Sequence, residues 1–216
     1  MPRRARISRE RIVEAAIGLA DREGMGALTM AKVGAELGVE AMSLYNHFPS
    51  KGALLDGIAD ALVASVEVPE GHEGWEDFLR KSLRSVRRLA LEHPDLFPLV
   101  LDRAPDLLAE ARLIEAYLGL MRTAGFSGEQ AMVALQVLSN FTIGYALSEI
   151  RGFALEPGRS GLSARELSPG EFPEIRAMAS YFESVDRSVE FEAGLNLALT
   201  GLRMNRDERA ASGSSS

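Results

Sequence analysis

The chain has 216 residues, no cysteine and a formal charge of −7, with 46% hydrophobic and 25% charged residues. That composition is of an ordinary globular chain with enough material for a real core, and the missing cysteine excludes disulfides, thiolate metal sites and thiol nucleophiles. No apolar run is expected to span a bilayer, and the basic start MPRRARISRER has no apolar segment behind it to make a secretory signal.

The acidic balance is unevenly placed. Residues 1–65 hold eight basic and eight acidic groups, so the whole excess of acid lies beyond them, and five arginines precede Ile12. An acidic second region repels a polyanion and leaves the first as its contact surface, so the charge division favours two roles on one chain.

In chain order, Arg3, Arg4 and Arg6 form a basic arm, open to two readings: a solvated tail, or a phosphate or minor-groove contact. Ser8 is placed to cap a helix to about Glu23, with Ile12, Val13, Ala16, Leu19 and Ala20 inward. The next stretch, Leu28 to Lys51, reads as two short helices joined by a glycine turn. Thr29 caps the first, Val33 and Leu37 share one face, and Gly38 supplies the turn. The second runs from about Glu40 to Phe48, with Leu44 and Phe48 four apart and Pro49 ending it. Helix, turn, helix is the arrangement that lays its second helix in the DNA major groove.

Ser50 then caps a fourth helix through Leu54, Leu55, Ile58, Leu62 and Val66, expected to connect the DNA-binding domain to the rest. A long helix from Trp75 to His93 carries Phe78, Leu79, Val86, Leu89 and Ala90 inward, with Arg80, Arg84, Arg87 and Arg88 as a solvated face. Residues 94–105 predict a brief helix with irregular flanks, and further helices are expected over 106–124, 128–153, 174–185 and 188–204. Residues 156–170 read as a loop and 207–216 as a disordered tail. The spacing of Phe191, Leu195, Leu199 and Leu202, flanked by Gly194 and Gly201, suggests close helix packing; with the apolar helix at 128–153 it is read as a two-fold four-helix bundle.

Leu28-Thr29, Val33, Leu37-Gly38-Val39, Ser43-Leu44-Tyr45, His47-Phe48 and Ser50-Lys51, followed by Leu54-Leu55, resemble the signature of TetR-type transcriptional regulators over about 25 gapless positions. The C-terminal region is similar to the tetracycline-repressor branch, whose last helix has a Phe-x-x-Gly-Leu pattern and builds the dimer. The resemblance implies an all-α protein: a three-helix helix-turn-helix domain over residues 1–50, and a larger helical effector-binding and dimerisation domain over 51–206. It implies a cytoplasmic homodimeric repressor that binds a palindromic double-stranded DNA operator and is released by a small-molecule effector. No membrane, cofactor or metal is expected as a partner.

By match to that pattern, Ala41, Met42 and Ser43 open the recognition helix where base edges are read, and Thr29, Tyr45, His47 and Lys51 sit where phosphates are met. Asn46 is read either as an adenine contact or as an exposed polar filler. The effector cavity implied within residues 75–185 has Ser82, Val86, Phe97, Val100, Arg103, Tyr117, Met121 and Gln136 as candidate lining groups, each with ordinary core as its alternative. Arg103 and Gln136 stand out as polar groups expected to face a helical interior. Val100 stands where the tetracycline repressor has its metal-holding histidine, which argues against magnesium-bound tetracycline and for an uncharged or anionic, largely apolar ligand reaching Arg103. An enzyme is disfavoured, since no nucleophile–base motif, HExxH or phosphate loop is present. Two other readings remain: a constitutive helix-turn-helix protein without an effector, and an interaction module that no longer binds DNA.

Overall fold

The structure, a computed structural model, describes residues 7–68, 74–102, 107–152 and 164–213. The basic arm and Arg103 lie outside these residues. Among the described residues all regular structure is helical: α1 (Arg9–Glu23), α2 (Met30–Glu36), α3 (Ala41–Tyr45), α4 (Lys51–Ala64), α5 (Trp75–Glu92), α6 (Phe97–Asp102), α7 (Leu107–Thr123), α8 (Gly128–Arg151), α9 (Pro173–Ala177), α10 (Ala179–Ser184) and α11 (Arg187–Gly213).

Two compact units result, and they do not follow a boundary at residue 50. The first joins Met1–Val68 to Arg88–Ala116; the second takes Pro69–Arg87 and Tyr117–Ser216. In the first, local chemistry sets the helix starts. The hydroxyls of Ser8, Thr29 and Ser50 accept from the backbone N–H three residues on, at 3.3, 3.2 and 3.0 Å, satisfying donors that the first turn leaves open. Gly24 ends α1 at φ 79°, a backbone region closed to most residues. Ile12, Leu28, Val33, Leu44, Phe48, Leu54 and Ile58 are fully buried at the centre. The end of α5 and α6 belong here too: α6 packs on α4, and His93 at the end of α5 holds Asp21 of α1 at 2.9 Å.

The second unit is built on Trp75, Phe78 and Leu79 of α5, Tyr117 and Met121 of α7, Leu138 of α8, and Phe191, Leu195 and Leu199 of α11. A capping box between Ser127 and Gln130 starts α8. Phe141 stacks on Phe191 with ring centroids 5.6 Å apart, and a Cβ on Gly194 would lie 2.6 Å from the Phe141 ring, so α8 and α11 meet at a distance only glycine permits.

Several expectations are corrected. The stripe Phe191, Leu195 and Leu199 is fully buried within its own unit, so it is core and not an intermolecular seam. The arginines of α5 are not simply solvated: Arg84 grips Glu192 with two bonds of 2.6 and 2.7 Å, and Arg87 grips Glu149 likewise. The Arg87–Glu149 side chains are only 14% and 9% exposed, and the hydrogen-bonded carboxylate raises the guanidinium pKa. The helix foreseen over 174–185 breaks at Met178 (φ −92°, ψ 6°) into α9 and α10. Instead of giving way to a tail at 207, α11 runs on to Gly213. Finally, α8 does have the length and composition of a membrane span, with a mean hydropathy of 1.3, although that window is only 28% buried. The reason is two apolar faces: Ala131, Ala134, Leu138 and Ala146 point inward, while Met132, Val133 and Val137 are exposed.

Glu190 knots the start of α11 to α8 and α10. It accepts from Tyr145 Oη and Tyr181 Oη at 2.6 Å each and pairs with Arg187 at 2.7 Å. Those donors, the Tyr145 hydroxyl first, pull its carboxyl down to about 2. Because the folded-state pKa is depressed, the stabilisation is complete above the ordinary glutamate range and fades as pH falls toward 2. Glu190→Gln should therefore lower the melting temperature at pH 7 and flatten its decline between pH 5 and 2.5, measured by circular dichroism.

Candidate nucleic-acid interface

The turn between α2 and α3 is held by backbone contacts. Leu37 closes α2, Gly38 takes φ 68°, and Val39 N–H donates to the Gly34 carbonyl at 2.9 Å. A Cβ on Gly34 would meet the Val39 oxygen at 2.9 Å and the Ala41 nitrogen at 3.2 Å. Gly38 was the glycine foreseen for this turn; Gly34, which lets α3 pack against α2, was not. Its signal was available, since a glycine inside a helix costs about 1 kcal/mol against alanine and calls for a packing reason.

The recognition helix α3 is shorter than the predicted Glu40–Phe48. After Tyr45 the chain tightens, with His47 N–H and Phe48 N–H both donating to the Leu44 carbonyl at 2.9 Å. Leu44 and Phe48 are fully buried and anchor it, which turns the remaining positions outward: Met42 is 71% exposed and Tyr45 43%. Asn46 is exposed too, while Ala41, Ser43 and His47 are half-buried. Thr29 is exposed; its Oγ accepts from Lys32 N–H, leaving its proton available to an outside acceptor. Lys51 is exposed at the start of α4. Nearby cations are partly committed: Arg22 donates to Glu36 at 2.6 Å and Lys32 to Glu23 at 2.7 Å. All eight residues matched to DNA contact thus lie between Thr29, which caps α2, and Lys51, the first residue of α4. None is fully buried.

The effector candidates are less uniform. Phe97 and Val100 lie on α6 of the first unit, buried and half-buried. In the second unit, Val86 is half-buried, and Met121 is fully buried in the core. Tyr117 is also buried, with its hydroxyl donating to the Ala131 carbonyl at 2.7 Å; burial pushes its pKa up and keeps it neutral. It is a satisfied core tyrosine. Gln136 is exposed and does not face the interior; the buried glutamine of α8 is Gln130, which donates to Asn205 Oδ1 at 2.9 Å. Ser82 keeps an interest of its own. Its Oγ and the Oγ1 of Thr142, a residue the sequence did not single out, are buried with no hydrogen-bond partner among the described residues. An unmade bond of this kind costs about 1–3 kcal/mol, so it marks a place where a partner is wanted.

Comparison with known proteins agrees with this geometry. Residues 12–58 match the family of bacterial regulatory proteins called tetR, and residues 68–206 match the tetracyclin repressor-like C-terminal domain. The chain is 32% identical to the class A tetracycline repressor from transposon 1721 of Escherichia coli over 199 residues, 90% of each chain. It is 30% identical to the class D repressor from Escherichia coli over 205 residues, 93% of this chain and 91% of that one. Among solved structures, apo ActR from Streptomyces coelicolor superposes with a TM-score of 0.76 at 31% identity, covering 95% of this chain and 99% of that chain. ActR has also been solved in complex with actinorhodin, at a TM-score of 0.75, 31% identity and coverages of 93% and 97%.

Gly34→Ala should push α3 away from α2 and abolish retention of duplex DNA in a gel-shift titration. Gly26→Ala, where a Cβ meets nothing within 4 Å among the described residues, should leave it unchanged.

Proposed function

Because the chain belongs to the TetR family of bacterial transcriptional regulators, we propose that it represses transcription in the cytoplasm as a homodimer on an inverted-repeat operator and is released by a small molecule. That it is a ligand-responsive transcriptional regulator follows from the family and its relatives. The observation that carries the reading is the outward face of α3, presented on buried Leu44 and Phe48. Met42 and Ala41 offer apolar contact, as to a thymine methyl, Ser43 a donor or acceptor, and Asn46 a bidentate pair to adenine. Thr29, Tyr45, His47 and Lys51 contact phosphates around it.

One five-residue helix reads too few bases, so two are needed, about 34–36 Å apart on successive major-groove half-sites. A second copy is the partner that fits the exposed apolar surface of the second unit. Val133 and Val137 of α8 and Leu197 and Met204 of α11 are 52–77% exposed. Between the two helices lies a cavity of about 370 Å³ bordered by Ala198, Gly201 and Leu202. Two such faces related by a two-fold axis close into a four-helix bundle. Leu197→Arg should shift the protein to monomer in sedimentation and lower operator affinity by more than tenfold while leaving the helical content intact; a dimer that persists would place the interface elsewhere.

For the effector, the unpartnered hydroxyls of Ser82 and Thr142 support a largely apolar, uncharged molecule carrying hydrogen-bonding oxygens, seated beside α5 and α8 in the second unit. Arg87 is engaged by Glu149, which disfavours a carboxylate there. Such a ligand weakens operator binding by the factor by which DNA weakens ligand binding. Thermal-shift screening of a metabolite panel that includes actinorhodin and magnesium–tetracycline tests this. Thr142→Val should raise the unliganded melting temperature and reduce the shift given by any hit; stabilisation by magnesium–tetracycline, or by nothing in the panel, would contradict the proposal.

A further inference from the structure

We infer that Arg9 is a positioning residue for operator recognition: it ties the far end of the recognition helix to α1 and so sets the angle at which the reading residues are held. The inference rests on the operator-binding reading above. Arg9 lies 38 residues before His47, yet its Nη1 donates to the His47 carbonyl. Its guanidinium also sits over the Phe48 ring, 4.1 Å from the centroid.

Both contacts fall where α3 is weakest. A helix of five residues makes hardly any internal hydrogen bonds, and its last carbonyls have no partner within the helix. Beyond Tyr45 the backbone of the turn is held by donations to a single acceptor, the Leu44 carbonyl. A cation at this end meets the negative pole of the helix, and a planar guanidinium can stack on a ring and donate in its own plane at once, which an ammonium cannot. Phe48 is fixed from another side as well. A Cβ on Gly57 of α4 would lie 2.8 Å from its ring, so α4 presses directly on it. Phe48 thus meets both Arg9 over its ring and Gly57 at its ring edge, and Leu44, one turn earlier, is fully buried. Loosening the Arg9 side lets the short helix rotate about Leu44. Met42, Ser43 and Asn46 would then move relative to the bases.

The rival role for Arg9, an exposed cation on the DNA-binding unit, is direct phosphate contact. The two separate cleanly, because a phosphate contact adds to all duplex binding and to its salt dependence, whereas a positioning group acts on specific binding alone. Operator and random-duplex affinities of the full-length protein would be measured from 50 to 300 mM salt for wild type, Arg9→Ala, Arg9→Lys and Lys51→Ala. Arg9→Ala should lower operator affinity about tenfold, the size expected for a stacked, charge-assisted contact, with random-duplex affinity and the salt slope unchanged. Lys51→Ala should weaken both duplexes alike and reduce the slope by about one. Arg9→Lys should keep the charge yet recover little of the operator affinity. In the DNA-free protein the Phe48 ring-proton resonances should shift in both Arg9 variants, a readout independent of whether an operator has been found. Loss of slope together with equal loss on random DNA would overturn the inference, as would full rescue by lysine or an unmoved Phe48 ring.

Discussion

The structure depends on the burial of two side chains, Leu44 and Phe48, beneath a helix too short to stand alone. Five residues of α-helix have no independent stability in water, so tertiary packing must supply all of it. Each anchor reaches into the core formed by Ile12, Leu28, Val33, Leu54 and Ile58, and every exposed position of α3 inherits its direction from them. The neighbouring glycines are part of the same constraint. Gly34 admits the backbone of the turn, and Gly57 admits the Phe48 ring. A reading surface is thereby held by removal of atoms as much as by contact.

The second unit meets a different demand. Its core is finished at some polar groups and not at others. Tyr117 shows the finished state: buried, neutral and bonded to a carbonyl. Ser82 and Thr142 show the unfinished one. Around them the helices are locked by strong paired charges, Arg84 with Glu192 and Arg87 with Glu149, and by the Glu190 knot. Replacing such partly buried pairs with apolar groups is often neutral or stabilising, so their value lies more in fixing which helix meets which.

What could be read in the sequence was what is local. Ser8, Thr29 and Ser50 are caps because each lies just ahead of a helical pattern, and all three bond as that pattern implies. The helix-turn-helix was legible for the same reason. Periodicity gave the faces of α8 and α11 but not what each face meets: the stripe through Phe191 proved to be internal, and the surface left over runs through Leu197. The arginines of α5 looked solvated because their carboxylates stand 62 and 108 residues away. Gln136 and Gln130 stand six residues apart on α8, and the capping box at Ser127 was the local clue that the inward one is Gln130. The Arg9 contact spans two helices and left no pattern in the sequence at all.

One bond has a practical bearing on hybrid regulators. Asp21 in the first helix is fastened to His93, 72 residues later, and α6 packs on α4. A reading head cut from this chain at residue 50, or even at 68, would leave that part of its own structure behind. Grafting it onto a foreign sensor calls for a discontinuous transplant, in which the stretch from Arg88 to Ala116 travels with it. Fusions joined at a single linear seam would carry the right letters on a loosened frame.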